Sequence, residues 1–144
     1  MNTAIVFKQT KFIGNYAVAK HSAYGGAVYA DRSTEFINCL FIKNYTIGGK
    51  DGNVNDGHDS FGGAIHSQPS WWNGSSYEAG TMKIVNSTFH ENYTDVKTNN
   101  GNTWAGTIAY GRWNNASTQT YLFNSIVSGS RTLRQGVAYT SGNV

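Results

Sequence analysis

One eleven-residue phrase occurs almost twice in this chain of 144 residues. The first copy reads "FINCLFIKNYT" at 36–46 and the second reads "IVNSTFHENYT" at 84–94. In each copy one Asn precedes a Phe by three residues and another Asn follows it by three: Asn38, Phe41 and Asn44, then Asn86, Phe89 and Asn92. Repetition by identity is typical of chains that stack one structural unit on the next.

Two short units alternate along the whole chain. The Phe-x-x-Asn unit occurs at 12–15, 41–44 and 89–92, with a degenerate copy "VSGS" at 127–130. The second unit occurs as "GGAV" at 25–28, "GGAI" at 62–65, "AGTI" at 105–108 and a degenerate "QGVA" at 135–138. Because the motifs are constant and their separations are not, the pattern indicates coils with fixed strands and variable loops.

The sequence predicts an all-β fold, a right-handed parallel β-helix (a solenoid) of about four turns. Short apolar steps with Gly or Asn between them suit short strands that meet at corners, where a positive φ is needed. Stacking would align Phe12, Phe41 and Phe89 in one buried ladder, and Asn15, Asn44 and Asn92 in another. We expect one domain, 1–144, with long loops at 46–61 and 66–81. A β-sandwich is the alternative, since it also uses short strands with turn signals.

Composition excludes several classes of protein. Only 13% of the residues are charged, and the net charge of +3 is scattered, so we predict no nucleic-acid partner. The single Cys39 excludes an internal disulfide and a cysteine-based metal cage. No apolar run of 18 residues is present, so we predict no transmembrane helix, and the N-terminus does not resemble a signal peptide. Neither end shows a capping element, so we expect a fragment of a longer solenoid or an uncapped, assembling module.

The alternating units resemble the GGA[ILV] and FxxN repeats of the chlamydial polymorphic outer-membrane proteins, and similar repeats look widespread in bacterial surface β-helix proteins. The resemblance covers residues 5–139 and departs at both motifs of the last repeat. It implies an extracellular or cell-surface passenger domain, often adhesive, and it supplies no catalytic residues to carry over.

Carboxylates are few, and most fall in loops. A glycosidase needs two or three that converge on one face, and a calcium-dependent lyase needs several with a basic residue. The one local cluster is "DGNVNDGHD" at 51–59, whose candidate calcium ligands are Asp51, Asn53, Asn55, Asp56 and Asp59. Its glycine comes one residue late for an EF-hand loop, and Gly62 stands where the closing Glu would be, so a polar loop without a cofactor is the favoured interpretation. His58 beside two Asp residues also raises an acid–base role.

Aromatic residues in polar surroundings are the candidate ligand-binding residues. Exposed aromatic groups often mark a recognition surface, and flat indole rings can stack on sugar rings. The candidates are Trp71, Trp72, Asn73 and Tyr77 in one loop, and Trp104, Arg112 and Trp113 around "WAGTIAYGRW". Alternatively, a Trp of the loop covers an edge of the coil.

We therefore expect a non-catalytic extracellular or cell-surface module that adheres to a glycan or a host surface. One alternative is a structural subunit that self-associates head to tail through its coil ends, because solenoids normally cap such edges. A second is a polysaccharide lyase or glycoside hydrolase, since parallel β-helices also host such enzymes.

Overall fold

The computed structural model describes residues 4–68, 70–72, 75, 77–110 and 119–139, with the backbone alone for 70–72 and 77–79. Within these residues the regular secondary structure consists of short β-strands. They form five parallel sheets along the stack, here called sheets A to E in the order in which each coil visits them. The predicted parallel β-helix of about four turns is confirmed, and its right-handed sense stays a prediction.

The first two coils are complete. Coil 1 consists of β1 (Ile5–Lys8), β2 (Lys11–Ile13), β3 (Tyr16–Val18), β4 (Ala23–Tyr24) and β5 (Val28–Ala30). Coil 2 consists of β6 (Thr34–Ile37), β7 (Leu40–Ile42), β8 (Tyr45–Gly48), β9 (Ser60–Phe61) and β10 (Ile65–Ser67). An antiparallel hairpin follows coil 2, formed by β11 (Ser70–Trp72) and β12 (Tyr77–Ala79).

Coil 3 is complete, whereas the described part of coil 4 fills only the first three sheets. Coil 3 consists of β13 (Thr81–Val85), β14 (Thr88–His90), β15 (Tyr93–Val96), β16 (Thr103–Trp104) and β17 (Ile108–Tyr110). Coil 4 consists of β18 (Gln119–Phe123), β19 (Ile126–Ser128) and β20 (Arg131–Arg134), followed by β21 (Val137–Ala138). Each coil therefore lies on the preceding one, in the sheet A order β1-β6-β13-β18.

The core is a stack of apolar side chains inside the coils. The ring of Phe41 lies 4.5 Å from Phe12 on one side and 4.5 Å from Phe89 on the other, nearly parallel to both. Phe41 and Phe89 are fully buried, and Val127 occupies the same register position in coil 4. The aromatic ladder predicted from the repeat is therefore confirmed, and apolar burial along it is the main stabilising contribution.

The asparagine ladder lies beside it and links the coils through polar contacts. The Oδ1 of Asn44 accepts hydrogen bonds from the backbone N–H and the side-chain amide of Asn15, both at 3.0 Å. The Oδ1 of Asn92 accepts the same pair from Asn44, both at 2.9 Å. Asn44 also donates to the Phe12 carbonyl and Asn92 to the Phe41 carbonyl, so both buried amides are well satisfied.

The glycine motif places two different demands on its two positions. The first position has a positive φ, which is 58° at Gly62 and 52° at Ala105. The second leaves no space for a side chain, because a Cβ on Gly63 would lie 2.2 Å from the carbonyl oxygen of Gly106 and 2.3 Å from that of Tyr93. The third coil, with Ala105 and Gly106, keeps glycine only at the second position, where sterics forbid any other residue.

One detail of the predicted organisation is wrong. Residues 135–138 are not a fourth copy of the glycine unit, because β21 turns back and pairs antiparallel with β20, at Leu133↔Ala138 and Arg134↔Val137. The strands define the bounds of the two predicted long loops more closely. The first spans only 49–59 between β8 and β9, and the segment 66–81 contains the β11–β12 hairpin.

Candidate binding site

Three aromatic residues form a column on the outer face of sheet D. Tyr24, Phe61 and Trp104 share one register position on β4, β9 and β16. Each follows a small residue whose side chain is buried: Ala23, Ser60 and Thr103. Because successive residues of a strand point to opposite faces, the aromatic member of each pair points outward.

The column is regular along the stack. The Tyr24 and Phe61 ring centroids lie 4.9 Å apart with planes 4° apart, and the Phe61 and Trp104 centroids lie 6.1 Å apart with planes 5° apart. Tyr24 is 41% exposed, and Phe61 and Trp104 are half-buried. Each ring covers a face of its neighbour, so the column presents ring edges along its length and ring faces at its two ends.

Asp59 fixes the orientation of the Trp104 indole. The indole Nε1–H donates to Asp59 Oδ2 at 3.2 Å, and the backbone N–H of Asn102 donates to Asp59 Oδ1 at 2.7 Å. One carboxylate thereby ties coil 2 to the strand that carries Trp104. A ring held in this way loses little conformational entropy when a ligand stacks on it.

A second column on sheet E faces the first across the glycine corner. Tyr29 and His66 share a register position on β5 and β10, with ring centroids 5.4 Å apart and planes 17° apart. The His66 ring is steeply inclined to those of Tyr24 and Phe61, with centroid distances of 5.1 Å and 5.4 Å. The two columns thus form an aromatic corner, defined here by Tyr24, Tyr29, Phe61, His66 and Trp104.

Polar groups border this aromatic corner. The Gln68 Oε1 accepts from the Tyr29 hydroxyl at 3.3 Å and lies 3.4 Å from His66 Nε2. Burial lowers the pKa of His66, and the bond to Gln68 opposes this effect only in part, so the imidazole is neutral at pH 7. Burial, followed by the charge of Asp31, raises the pKa of the Tyr29 hydroxyl, so the phenol keeps its proton. The corner combines uncharged rings with hydroxyl and amide groups, the chemistry that suits a neutral polyhydroxylated ligand.

The structure locates only part of the binding site predicted from sequence. Trp71, Trp72 and Tyr77 lie on the β11–β12 hairpin, where the backbone at Trp72 pairs with Tyr77, and their side chains lie outside the described residues. Asn73, Arg112 and Trp113 lie outside the described residues altogether. Trp104 is described, and it extends the column of Tyr24 and Phe61.

Three of the candidate calcium ligands in the oxygen-rich loop at 51–59 contact other groups of the protein. Asp59 contacts Asn102 and Trp104, Asp56 contacts His58, and the Asn53 side chain accepts the backbone N–H of Asn55. In the described part of the chain, no group of three or more His, Cys, Asp or Glu side chains is arranged to hold a metal ion.

Three other carboxylates are engaged in ion pairs. Glu35 pairs with Lys83 at 3.2 Å, and Glu91 pairs with Lys43 at 3.6 Å. The buried Asp95 pairs with Lys97 and accepts the backbone N–H of Gly136. These contacts connect neighbouring strands and coils, which is a structural use of the carboxylates.

Sequence reasoning missed a third column of aromatic residues, on sheet C. Tyr16, Tyr45 and Tyr93 stack at 5.3 Å and 4.9 Å, and the guanidinium of Arg131 lies 5.6 Å from the centre of the Tyr93 ring. The signal was present, because a Tyr directly follows each ladder Asn. Its regular recurrence and its exposure, 64% at Tyr16, make it a suitable internal control for the aromatic corner.

Comparisons with models of known protein families, with curated proteins and with solved structures found no match. The chain is therefore assigned to an architecture, the parallel β-solenoid, and to no family. No helix in the described residues is long and apolar enough to cross a membrane.

Proposed function

We propose that this protein is a non-catalytic binding module that holds a glycan at the aromatic corner, at a cell surface or outside the cell. The observation that carries the proposal is the column of Tyr24, Phe61 and Trp104 beside the Tyr29–Gln68–His66 group. Stacked rings supply apolar contact area, and the neighbouring hydroxyl and amide groups supply hydrogen bonds that orient a ligand.

Two further points support this assignment. The coils repeat along the stack at roughly 4.8 Å, the spacing of neighbouring strands, so the corner offers similar groups at regular intervals to an extended polymer. The resemblance of the repeats to those of bacterial surface adhesins supports both the adhesive role and the location. A hydrolase would instead need free carboxylates that converge on one face, whereas Glu35, Glu91 and Asp95 are used in ion pairs.

Electrophoresis of the purified chain in gels loaded with different neutral polysaccharides tests the proposal. We expect at least one polysaccharide to retard the wild-type protein and Trp104→Ala to abolish the retardation. Tyr16→Ala, which removes an exposed ring of the sheet C column, is the matched control and should leave the retardation unchanged. Wild-type mobility that is the same in every gel, or an equal loss in both variants, would contradict a glycan site at the corner.

Association of two copies through coil 1 is a second candidate function. Asn15 donates to Asn44 through both its backbone N–H and its side-chain amide. Among the described residues no donor reaches the Oδ1 of Asn15 itself, whereas the Oδ1 of Asn44 and that of Asn92 each accept two hydrogen bonds. The outer face of the Phe12 ring stands at the same end of the stack. At the opposite end β21 already pairs with part of the β20 edge, which makes the two ends unequal.

Light scattering over a hundredfold concentration range tests this second candidate. We expect a mass that rises with concentration for the wild type and stays at that of the 15.7 kDa monomer for Asn15→Lys, which places a charge at the open ladder. A wild-type monomer at all concentrations would contradict it.

A further inference from the structure

Two histidines from different coils meet at the base of the 49–59 loop. The Nδ1 of His21, which follows β3, lies 3.3 Å from the Nε2 of His58, which precedes β9. Their rings are nearly perpendicular, at 82°, with centroids 4.7 Å apart. The Oδ2 of Asp56 lies 3.5 Å from the same His58 nitrogen.

Backbone contacts around both histidines hold this arrangement in place. The carbonyl of His21 accepts the N–H of Gly49 at 2.9 Å, and the Ser22 hydroxyl accepts the N–H of Asp59 at 3.0 Å. On the far side, the Thr98 hydroxyl donates to the His58 carbonyl at 3.4 Å. The pair therefore lies between coil 1 and coil 3, on segments whose positions the stack determines.

The distance between the two nitrogens matches that between two ligands of one metal ion. Imidazole nitrogens bind zinc at about 2.0–2.1 Å in tetrahedral geometry, which places two such ligands about 3.3–3.4 Å apart. Without a metal, two neutral imidazoles at this distance share a single N–H between their nitrogens. The two nitrogens, 3.3 Å apart, already have the separation that two ligands of one tetrahedral ion need.

We propose that His21 Nδ1 and His58 Nε2 bind a divalent transition-metal ion of the zinc, nickel or copper type. Imidazole suits these metals, whereas calcium prefers oxygen ligands. Two protein ligands leave the remaining positions to solvent. Asp56, with a side chain that is 46% exposed, supplies a nearby negative charge and an acceptor for a metal-bound water.

This site would fasten the 49–59 loop to coil 1. That loop also carries Asp59, which orients Trp104, so a bound ion would restrain one support of the aromatic corner. The metal proposal does not depend on the glycan proposal, because its test measures metal binding alone.

Calorimetric titration of the 144-residue chain, without a polyhistidine tag, with zinc chloride tests the site. We expect one ion per chain. His21→Gln or His58→Gln should each weaken binding by more than the roughly 10- to 100-fold that loss of an outer-shell partner costs. The double variant should be no weaker than either single variant, because one imidazole alone does not hold the ion.

Two further variants define the result. His90→Gln is the matched control, because His90 is an exposed histidine that contacts Glu91 and Ser128 and should not affect affinity. Asp56→Asn should weaken binding by about tenfold, as expected for an outer-shell carboxylate. Circular dichroism establishes that each variant is folded. No binding by the wild type, or equal binding by the wild type and the folded His21 and His58 variants, would overturn the proposal.

Discussion

The side-chain oxygen of Asn92 accepts two hydrogen bonds from Asn44, one from its backbone N–H and one from its amide, each at 2.9 Å. Asn44 offers its own oxygen to Asn15 in the same way. The side-chain oxygen of each of these asparagines thereby accepts hydrogen bonds from the asparagine of the preceding coil. This is the physical reason why the sequence repeats the residue by identity, since no other side chain places an acceptor and a donor at both positions.

Asn44→Ala should lower the free energy of unfolding by roughly 2–4 kcal/mol. The substitution leaves the part-buried Asn15 N–H and Phe12 carbonyl without their partners, and it removes the buried side-chain hydrogen bond to Asn92. An unpaired group costs about 1–3 kcal/mol when it is buried. Urea denaturation followed by circular dichroism measures the change. Asn15→Ala, at the exposed end of the ladder, is the control and should cost about 1 kcal/mol or less. An equal loss in the two variants would mean that burial in the ladder contributes nothing.

The two positions of the glycine motif predict substitutions with opposite effects on stability. Gly63→Ala should prevent folding or destabilise by at least about 3 kcal/mol, because its Cβ would collide with two backbone carbonyl oxygens. Ala105→Gly should stabilise by up to about 1 kcal/mol, because Ala105 has a φ of 52°, a conformation unfavourable for any residue with a Cβ. Thermal unfolding of both variants checks the pair. A stable Gly63→Ala protein would contradict the close approach of the coils.

Cys39 should be replaceable by Ser with a change in stability of less than about 1 kcal/mol. At the corner that Cys39 occupies, the Ser87 hydroxyl accepts the Cys39 N–H and donates to the Val85 carbonyl. In the next coil the Ser125 hydroxyl makes the same two contacts, with the Ser87 N–H and the Phe123 carbonyl. A Ser at position 39 can take the same geometry, with the Ile37 carbonyl as acceptor.

Ser87→Ala is the comparison for this corner. It removes the acceptor of the buried Cys39 N–H and should destabilise by about 1–3 kcal/mol. Urea denaturation of both variants gives the comparison. A larger loss for Cys39→Ser than for Ser87→Ala would mean that packing of the sulfur, and not the ladder of hydroxyls, governs this corner.

His66 should make the protein less stable in mild acid. Burial lowers its pKa in the folded state below that in the unfolded chain, about 6.5. The unfolded chain therefore takes up a proton first. The contribution of His66 is fully present above about pH 6.5 and is lost as the pH falls through the folded pKa.

Denaturation at pH 7.5 and pH 5.5 measures this contribution, with His66→Gln as the reference. Each pH unit by which the pKa of His66 is lower in the folded state than in the unfolded chain corresponds to about 1.4 kcal/mol in the free energy of unfolding. The variant should lose less stability than the wild type between the two pH values, because it lacks the contribution of His66. His21, His58 and His90 are present in both proteins, so their effects cancel in the comparison. The same pH dependence in the two proteins would show that His66 titrates normally.

Those parts of the fold that repeat by identity could be predicted from the sequence. Phe41 and Asn44 recur because a buried stack admits one shape and one hydrogen-bonding pattern at each position. The aromatic column could not be found in this way, because an outward position requires only a flat ring, and Tyr24, Phe61 and Trp104 are three different residues. Trp104 therefore looked isolated in the sequence although it continues a series.

The remaining differences come from contacts that leave no periodic signal. The β21 strand resembles a glycine unit, but Gly136 follows Gln135 in a tight turn, with φ values of 81° and 51°, and the chain reverses there. The meeting of His21 with His58 depends on how a loop of variable length returns to the stack. Local sequence does not encode that path.

Disulfide trapping tests the register of the coils most directly, in a Cys39→Ser background that has no other cysteine. Tyr16 and Tyr45 are register partners on neighbouring parallel strands, and such partners lie about 4.8 Å apart, within the range that a disulfide spans. Tyr16 and Ile47 are two residues out of register, about 8 Å apart, which is too far. Under mild oxidation, Tyr16→Cys with Tyr45→Cys should form an intramolecular disulfide nearly completely, and Tyr16→Cys with Ile47→Cys should not. Cross-linking of neither pair, or of both equally, would contradict the stacked β-helix on which the aromatic corner and the histidine pair depend.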